Sequence, residues 1–189
     1  MSKEPRFPQL TVEGLSDKQK PLADQILKVS SIGIGGPYNS LLRSPVLGQR
    51  IFDLFHYLRW ETSVPIRLNE FAILIIARQW RSQVEWLAHA PLALKAGLSP
   101  EIVAELKADK RPLSMAPEEA AVYDFITELT TRRAVSDATF ERTKNLLGEQ
   151  QVIDLTAVAG GYVIIAMILA MSEQGVPPGR EPPFKPGEP

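Results

Sequence analysis

Cysteine is absent from this chain of 189 residues. Without a thiol the protein forms no disulfide, uses no thiolate nucleophile and builds neither an iron–sulfur cluster nor a cysteine-ligated zinc site. Histidine is scarce as well, because His56 and His89 are the only two, and neither belongs to an H-x-x-x-H or E-x-x-H pair. A transition-metal site would have to be built from scattered carboxylates. We therefore predict that no metal is bound.

The chain also lacks a strong charge of either sign. Its 21 lysines and arginines nearly balance 22 aspartates and glutamates, giving a net charge of -1, and no basic run stands out. Nucleic acid is therefore not an expected partner. The first ten residues, MSKEPRFPQL, have no apolar segment of the kind that a signal peptide needs. This predicts a cytoplasmic protein.

Long apolar runs are limited to one, LTAVAGGYVIIAMILAM over residues 155–171. It is at the short limit for crossing a bilayer and is interrupted by Gly160 and Gly161. A helix buried all round, in the core or at a subunit contact, is the better interpretation. We therefore predict no membrane partner.

What the chain does have is helical periodicity in every long segment, which predicts an all-α fold. Serine and proline pairs mark helix starts, as at Ser44 and Pro45. Residues 1–174 are predicted to form one domain, followed by a proline-rich arm over 175–189 that either grips a neighbouring subunit or is disordered. The predicted helices cover 16–30, 44–60, 67–80, 82–97, 99–110, 117–133, 136–148 and a long segment from about 149.

The stretch RSQVEWLAHA places Glu85 four residues before His89. On a helix this spacing puts both side chains on one face, where a carboxylate can fix the imidazole tautomer and raise its basicity. Glu70 lies one helix earlier, and a hairpin at residues 80–82 would bring it back towards Glu85. Two nearby carboxylates would push one pKa upward and give an acid that is usable at neutral pH.

Structural interpretations of the same residues remain open. Ser82 and Glu85 form the S-x-x-E pattern of a capping box, in which the glutamate bonds the amide at the helix start. His89 is flanked by apolar residues and can be a core histidine with a satisfied hydrogen bond. Arg78, near the junction between the two helices, either pairs with these carboxylates or holds an anionic ligand.

Three segments together resemble the carboxymuconolactone decarboxylase family, which also contains the AhpD-like alkylhydroperoxidases. They are GPYNSLLRSPVLGQRI, NEFAILIIARQWRSQVEWLAHAPLALKAGLSPEIVAEL and VIDLTAVAGGYVIIAMILA, and the similarity spans residues 36–171. The resemblance implies an AhpD-like bundle of antiparallel helices that self-associates as a trimer or hexamer, with the site near a subunit contact.

The resemblance also separates two branches of the family. In the peroxidase branch a glutamate is followed by C-x-x-C and then by a histidine. Counting from Glu70, the two cysteine positions fall on Ser82 and Glu85, and the histidine falls on His89. Because this chain has no thiol, the cysteine peroxidase reaction cannot operate. The remaining residues are similar to the decarboxylase branch, which implies an enzyme that needs no metal or organic cofactor.

In that branch His89 would donate or accept the proton, Glu85 would orient it and Glu70 would tune the pair. Arg43 or Arg50 would bind a carboxylate of a small-molecule substrate, with Ser82 and Arg78 as further candidates for substrate binding. The expected reaction is decarboxylation or isomerisation of a small lactone or related carboxylic acid. Two alternatives remain: a non-catalytic helical oligomer that binds a small hydrophobic ligand, and a peroxidase-related protein that lacks the cysteine chemistry.

Overall fold

The computed structural model describes residues 4–177 and 179–184, and within these it is all helical. The predicted all-α fold is therefore confirmed. Nine α-helices and one π-helical turn follow one another along the described chain. They are α1 Lys20–Val29, α2 Pro37–Leu41, α3 Pro45–His56, the π turn Tyr57–Glu61, α4 Ile66–Gln79, α5 Gln83–Lys95, α6 Pro100–Lys107, α7 Pro117–Arg132, α8 Asp137–Leu147 and α9 Glu149–Ser172.

Helix α4 lies at the centre of the molecule. Every residue from 68 to 78 is buried, and α4 packs against α5, α6, α7 and α9. The three-residue connection to α5 makes the two helices an antiparallel hairpin. Arg81 in this connection has a φ of 49°, in the left-handed region, which lets the chain reverse within a short turn. Residues of α4 and α5 therefore face each other.

Helix α9 is the second core helix. By length and composition alone it could cross a membrane, but 56% of its most apolar window is buried within the protein. It packs against α2, α4, α7, α8 and the π turn, as a core helix does. At Gly161 a methyl group would lie 2.9 Å from Leu58 and 3.3 Å from the Phe55 ring. The absence of a side chain there lets α9 approach the end of α3 closely.

The helix over 44–60 was predicted as one continuous α-helix, and its last part is different. After His56 the backbone forms a π turn, with the Thr62 amide donating to the Tyr57 carbonyl at 2.9 Å. Asn69 of α4 donates to the Leu58 carbonyl at 2.8 Å. Partners from other helices therefore hold this turn.

Asp154 of α9 also fixes the π turn. Its carboxylate accepts hydrogen bonds from the Ser63 amide at 2.8 Å, the Ser63 hydroxyl at 2.7 Å, the Thr62 hydroxyl at 3.2 Å and the Tyr57 hydroxyl at 3.1 Å. Burial raises the pKa of Asp154, but these hydrogen bonds outweigh it and hold the pKa below its usual value. The π turn is thus tied to the core helix at both of its ends.

Part of the proline-rich arm returns to the core. Phe184 is buried, its ring meets Trp86 of α5 edge to face at 5.1 Å, and its backbone exchanges two hydrogen bonds with the Gln83 side chain. The described end of the chain therefore packs on its own α5. Residue 178 and residues 185–189 of the predicted arm lie outside the described residues.

Candidate active site

A cavity of about 170 Å³ lies between α2, α3, the π turn, α5 and α9. Its polar groups come from Glu85, His89, Tyr38, Tyr162 and Arg59, with His56, Ser30 and Ser31 on the same wall, and the rest of the wall is apolar. Trp60 and Ile32 line it too and are themselves exposed, so the cavity opens to solvent on their side. The apolar wall includes Leu41, Ile51, Phe52, Phe55, Val84, Ile165 and Leu169.

His89 is held from behind by Glu70. Glu70 Oε2 lies 2.7 Å from His89 Nδ1, and both side chains are buried. When Nδ1 donates to this carboxylate, Nε2 carries the lone pair and is available as a base. Burial lowers the pKa of His89 below its usual value, and the Glu70 carboxylate offsets part of this effect. The imidazole is therefore neutral at neutral pH.

Glu85 is buried with both carboxyl oxygens lacking a hydrogen-bond partner among the described residues. Burial raises the pKa of Glu85 to about 8, since ionisation would leave a charge with little solvation. The Ser82 hydroxyl offsets part of the rise, although its geometry falls short of a hydrogen bond. At neutral pH, Glu85 is thus an acid that still carries its proton.

The prediction that Glu85 orients His89 is wrong, because Glu70 makes that hydrogen bond. Glu85 and His89 share a helix face as predicted, but the imidazole turns towards α4, where Glu70 lies buried. The alternative in which Glu85 closes a capping box is wrong too, since Ser82 begins α5 without a side-chain cap. The alternative of a buried histidine with a satisfied hydrogen bond describes His89 correctly, but His89 also lines a cavity, so a structural role does not exclude a chemical one.

The predicted substrate-binding residues lie away from the described cavity wall. Arg43 donates to backbone carbonyls at Asn39 and Pro8 and stacks on Phe7, while Arg50 is exposed on α3. Arg78 is buried, donates to the Lys107 carbonyl at 3.1 Å and lies over the Phe184 ring. Ser82 is buried at the start of α5.

Arg59, Tyr162 and Tyr38 also line the cavity, although no sequence pattern singled them out. The Tyr162 ring meets the His89 ring edge to face at 5.0 Å, and burial raises the pKa of Tyr162 so that its hydroxyl stays protonated. The signal for Tyr162 was a phenol within an otherwise apolar run. Arg59 had no comparable signal, since it lines the cavity from a π turn that the sequence pattern does not reveal.

Comparison with solved structures identifies the fold. An alkylhydroperoxidase AhpD core, an uncharacterized peroxidase-related protein from Ralstonia eutropha JMP134, matches this chain with a TM-score of 0.75. The match covers 92% of this chain and 93% of the other at 12% sequence identity. The chain has the AhpD-like fold. No protein-family model and no curated protein matches it. The similarity therefore concerns the fold, and any reaction must be inferred from the residues of the cavity.

Proposed function

We propose that this AhpD-like protein is a cofactor-free enzyme that transfers protons to and from carbon in a small lactone or related carboxylic acid. The observation that carries the proposal is the presence of an acid and a base in one cavity. Protonated Glu85 and neutral His89 both line it, and Glu70 supports the base. An acid and a base in matched protonation states are what proton-transfer catalysis requires at neutral pH.

In an isomerisation, His89 Nε2 removes a proton from a carbon next to a carbonyl group. The electron pair of the broken C–H bond moves onto the carbonyl oxygen, where Glu85 stabilises the developing charge by donating a hydrogen bond. The protonated His89, stabilised by Glu70, then returns the proton to another carbon of the conjugated system. The substrate keeps its composition, and one double bond changes place.

In a decarboxylation, the C–C bond to a carboxylate breaks and carbon dioxide leaves. The electron pair enters the conjugated lactone, and the proton carried by Glu85 goes to carbon. The next turnover requires Glu85 to take up a proton from water. Decarboxylation as described needs the proton of Glu85, whereas isomerisation needs His89 as well, and the resemblance to the decarboxylase branch favours carboxymuconolactone as the first substrate to test.

The proposal is tested by incubating the full chain with carboxymuconolactone and small lactone acids in deuterated water and following deuterium at carbon by NMR. We expect a bell-shaped pH profile, with activity lost below the lowered pKa of His89 and again above about pH 8, where Glu85 ionises. His89→Gln should abolish isomerisation, because glutamine cannot accept the substrate proton. Glu85→Gln should abolish decarboxylation, because the amide has no proton to give to carbon, but in isomerisation it keeps a hydrogen-bond donor and should remove the alkaline limb. The proposal would be refuted if, at every pH, neither a change of the substrate nor deuterium at carbon were seen.

Two alternatives make different predictions. A non-catalytic binding protein is favoured by the mainly apolar wall of the cavity, and it would bind its ligand equally well after His89→Gln. A peroxidase without a thiol would consume hydrogen peroxide in a standard assay. Measured peroxide turnover by the purified chain would favour this alternative over carbon-acid chemistry.

A further inference from the structure

Arg59 is the one arginine or lysine among the described residues that line the cavity. It lies on the π turn, its side chain is 27% exposed, and its guanidinium stands 5.2 Å from the Trp60 ring centre. Its nearest anionic contact is Glu70 Oε1, at 3.7 Å from Nη2, which is too long for a hydrogen bond. The structure shows no hydrogen bond from Arg59 to any described residue, although a guanidinium has five N–H donors.

The electrostatic reach of Arg59 covers the polar side of the cavity. Its positive charge acts on the ionisation of Tyr38, His89 and Tyr162. The π turn that carries it is held by Asp154 and Asn69, so its backbone position is fixed relative to α4 and α9. The Arg59 guanidinium is planar, has unused N–H donors and lies at the opening of an apolar cavity. Such a group can bind a carboxylate through two parallel hydrogen bonds.

The size of the cavity limits what the carboxylate can be attached to. Its 170 Å³ is comparable with the ~150 Å³ of an engineered protein cavity that holds one benzene ring. Phe55 and Tyr162, with Ile51 and Ile165, provide flat and branched apolar walls for such a ring. A ligand of this size fits with its ring inside and its charged group towards the solvent-facing side at Arg59.

We propose that Arg59 anchors the carboxylate of the substrate and selects monocyclic acids over neutral molecules of the same shape. This inference rests on the proposed function for its catalytic meaning, but the binding that it predicts is measurable without turnover. Arg59 thereby takes the carboxylate-binding role that the family resemblance implied for Arg43 or Arg50.

The geometry also links binding to the base. An anion at Arg59 would draw the guanidinium away from Glu70 and add negative charge near His89, and both changes raise the pKa of His89. The linkage is reciprocal, so the anion should bind more tightly at lower pH, where His89 takes up a proton. The ionisable and charged groups that face this cavity with His89 are Glu85 from its own helix, Arg59 from the π turn, Tyr38 from α2, Tyr162 from α9 and His56 from α3, which pairs with Glu61, while Glu70 of α4 lies behind the imidazole.

The test compares benzoate with benzamide, which has nearly the same shape and no charge, by calorimetry on the full chain. We expect the wild type to prefer benzoate and Arg59→Gln to lose about ten- to a hundredfold in benzoate affinity, as for a lost charge-assisted hydrogen bond. Benzamide affinity should stay within about twofold. Arg59→Lys should bind benzoate more tightly than Arg59→Gln does, because lysine keeps the positive charge but cannot form the two parallel hydrogen bonds of a guanidinium. Arg50→Gln removes the same charge from an exposed position of α3 and should change neither affinity.

A second readout follows His89 by NMR. Saturating benzoate should raise the pKa of His89 in the wild type and leave it unchanged in Arg59→Gln. The inference is overturned if the wild type binds neither probe, if it binds the two equally, or if Arg59→Gln binds benzoate as the wild type does. Should Arg59→Gln lose both probes, Arg59→Lys decides: a benzoate preference supports the inference, and equal binding or none overturns it.

The outcomes also separate this inference from the proposed function. If benzoate binding depends on Arg59 but no carbon acid is converted or takes up deuterium, the anchor stands and the enzymatic proposal fails. If deuterium exchange occurs while Arg59→Gln leaves KM and kcat unchanged, the enzymatic proposal stands and the anchor fails. An effect on KM larger than that on kcat is expected of a residue that binds a part of the substrate remote from the reacting carbon.

Discussion

At the residue scale, the two buried glutamates near the cavity, Glu70 and Glu85, have different surroundings. Glu70 has His89 as a hydrogen-bonding partner and Arg59 nearby, whereas Glu85 has no partner for either oxygen among the described residues. A buried carboxyl without a partner is costly when ionised and tolerable when protonated. The difference between the two environments separates a proton donor from the support of a base.

This difference predicts how stability depends on pH. Between pH 4.5 and about 8 Glu85 ionises in the unfolded chain but keeps its proton in the folded one, so its contribution to stability is lost as pH rises through this range. Glu85→Gln should therefore match the wild type near pH 4 and be more stable near pH 8, by on the order of a few kcal/mol. Urea denaturation at several pH values measures the free energy of unfolding of both proteins. Glu13→Gln, at an exposed glutamate, is the control and should show no such trend. Equal curves for Glu85→Gln and the wild type would show that Glu85 ionises freely.

The sequence predicted that Glu85, His89 and Glu70 lie in one site, but it did not predict which glutamate bonds to His89. The four-residue spacing fixes Glu85 and His89 on one face, because helix geometry leaves no choice. The partner of His89 depends instead on the packing of α4 against α5, which sequence spacing does not encode. Arg59 escaped prediction for a similar reason, since its position depends on hydrogen bonds to Asp154, nearly a hundred residues away.

At the element scale, caps and periodicity predict the longer helices, but not the short helix α2, Pro37–Leu41, or the π turn. Ser44, Ser99 and Ser136 each precede a helix as predicted, and the Ser99 and Ser136 side chains accept from helix amides. The π turn has no such local signal. Tertiary hydrogen bonds from α4 and α9 stabilise it, so local propensity cannot reveal it.

Adjacent glycines in α9 allow a matched test of close packing. A methyl group at Gly161 would lie 2.9 Å from Leu58, whereas at Gly160 it would meet open space. Each substitution by alanine gains the same helix propensity, about 1 kcal/mol, but only Gly161→Ala crowds the core. We expect Gly161→Ala to be less stable than Gly160→Ala by about 1 to 3 kcal/mol in chemical denaturation. Equal stabilities of the two variants would mean that Leu58 and Phe55 make room for the methyl group without any loss of free energy of unfolding.

At the scale of the whole molecule, α9 presents an uncharged exposed stripe. Ile153 is 69% exposed and Met167 is 52% exposed. Exposed apolar surface of this extent is typical of interfaces. The further members of the stripe, at successive helical turns, are Ala157, Gly160, Ile164 and Met171. It is the natural place to test the predicted trimer or hexamer, which stays a prediction.

We expect the wild type to sediment as a multimer and Ile164→Lys to shift it towards the monomer, because the stripe would then bury an unpaired charge. Leu113→Lys is the control, since Leu113 is 84% exposed and lies in the loop between α6 and α7. Sedimentation velocity at several concentrations measures the change. An Ile164→Lys variant of unchanged size would place any subunit contact elsewhere. The all-α fold, by contrast, could be predicted from the sequence, because every long segment before the proline-rich arm has helical periodicity.

The position of Phe184 has a consequence for how the chain is made. Helix α5, which carries Glu85 and His89, receives its covering aromatic ring from a residue 101 positions after Gln83. Ribosomes add residues at roughly 5–20 per second, so the nascent α5 waits about 5 to 20 seconds for that ring. Asp154 and Tyr162 also arrive late. The cavity wall therefore cannot be completed before Tyr162 has been made, and a chain that ends before Phe184 would leave Trp86 without its covering ring.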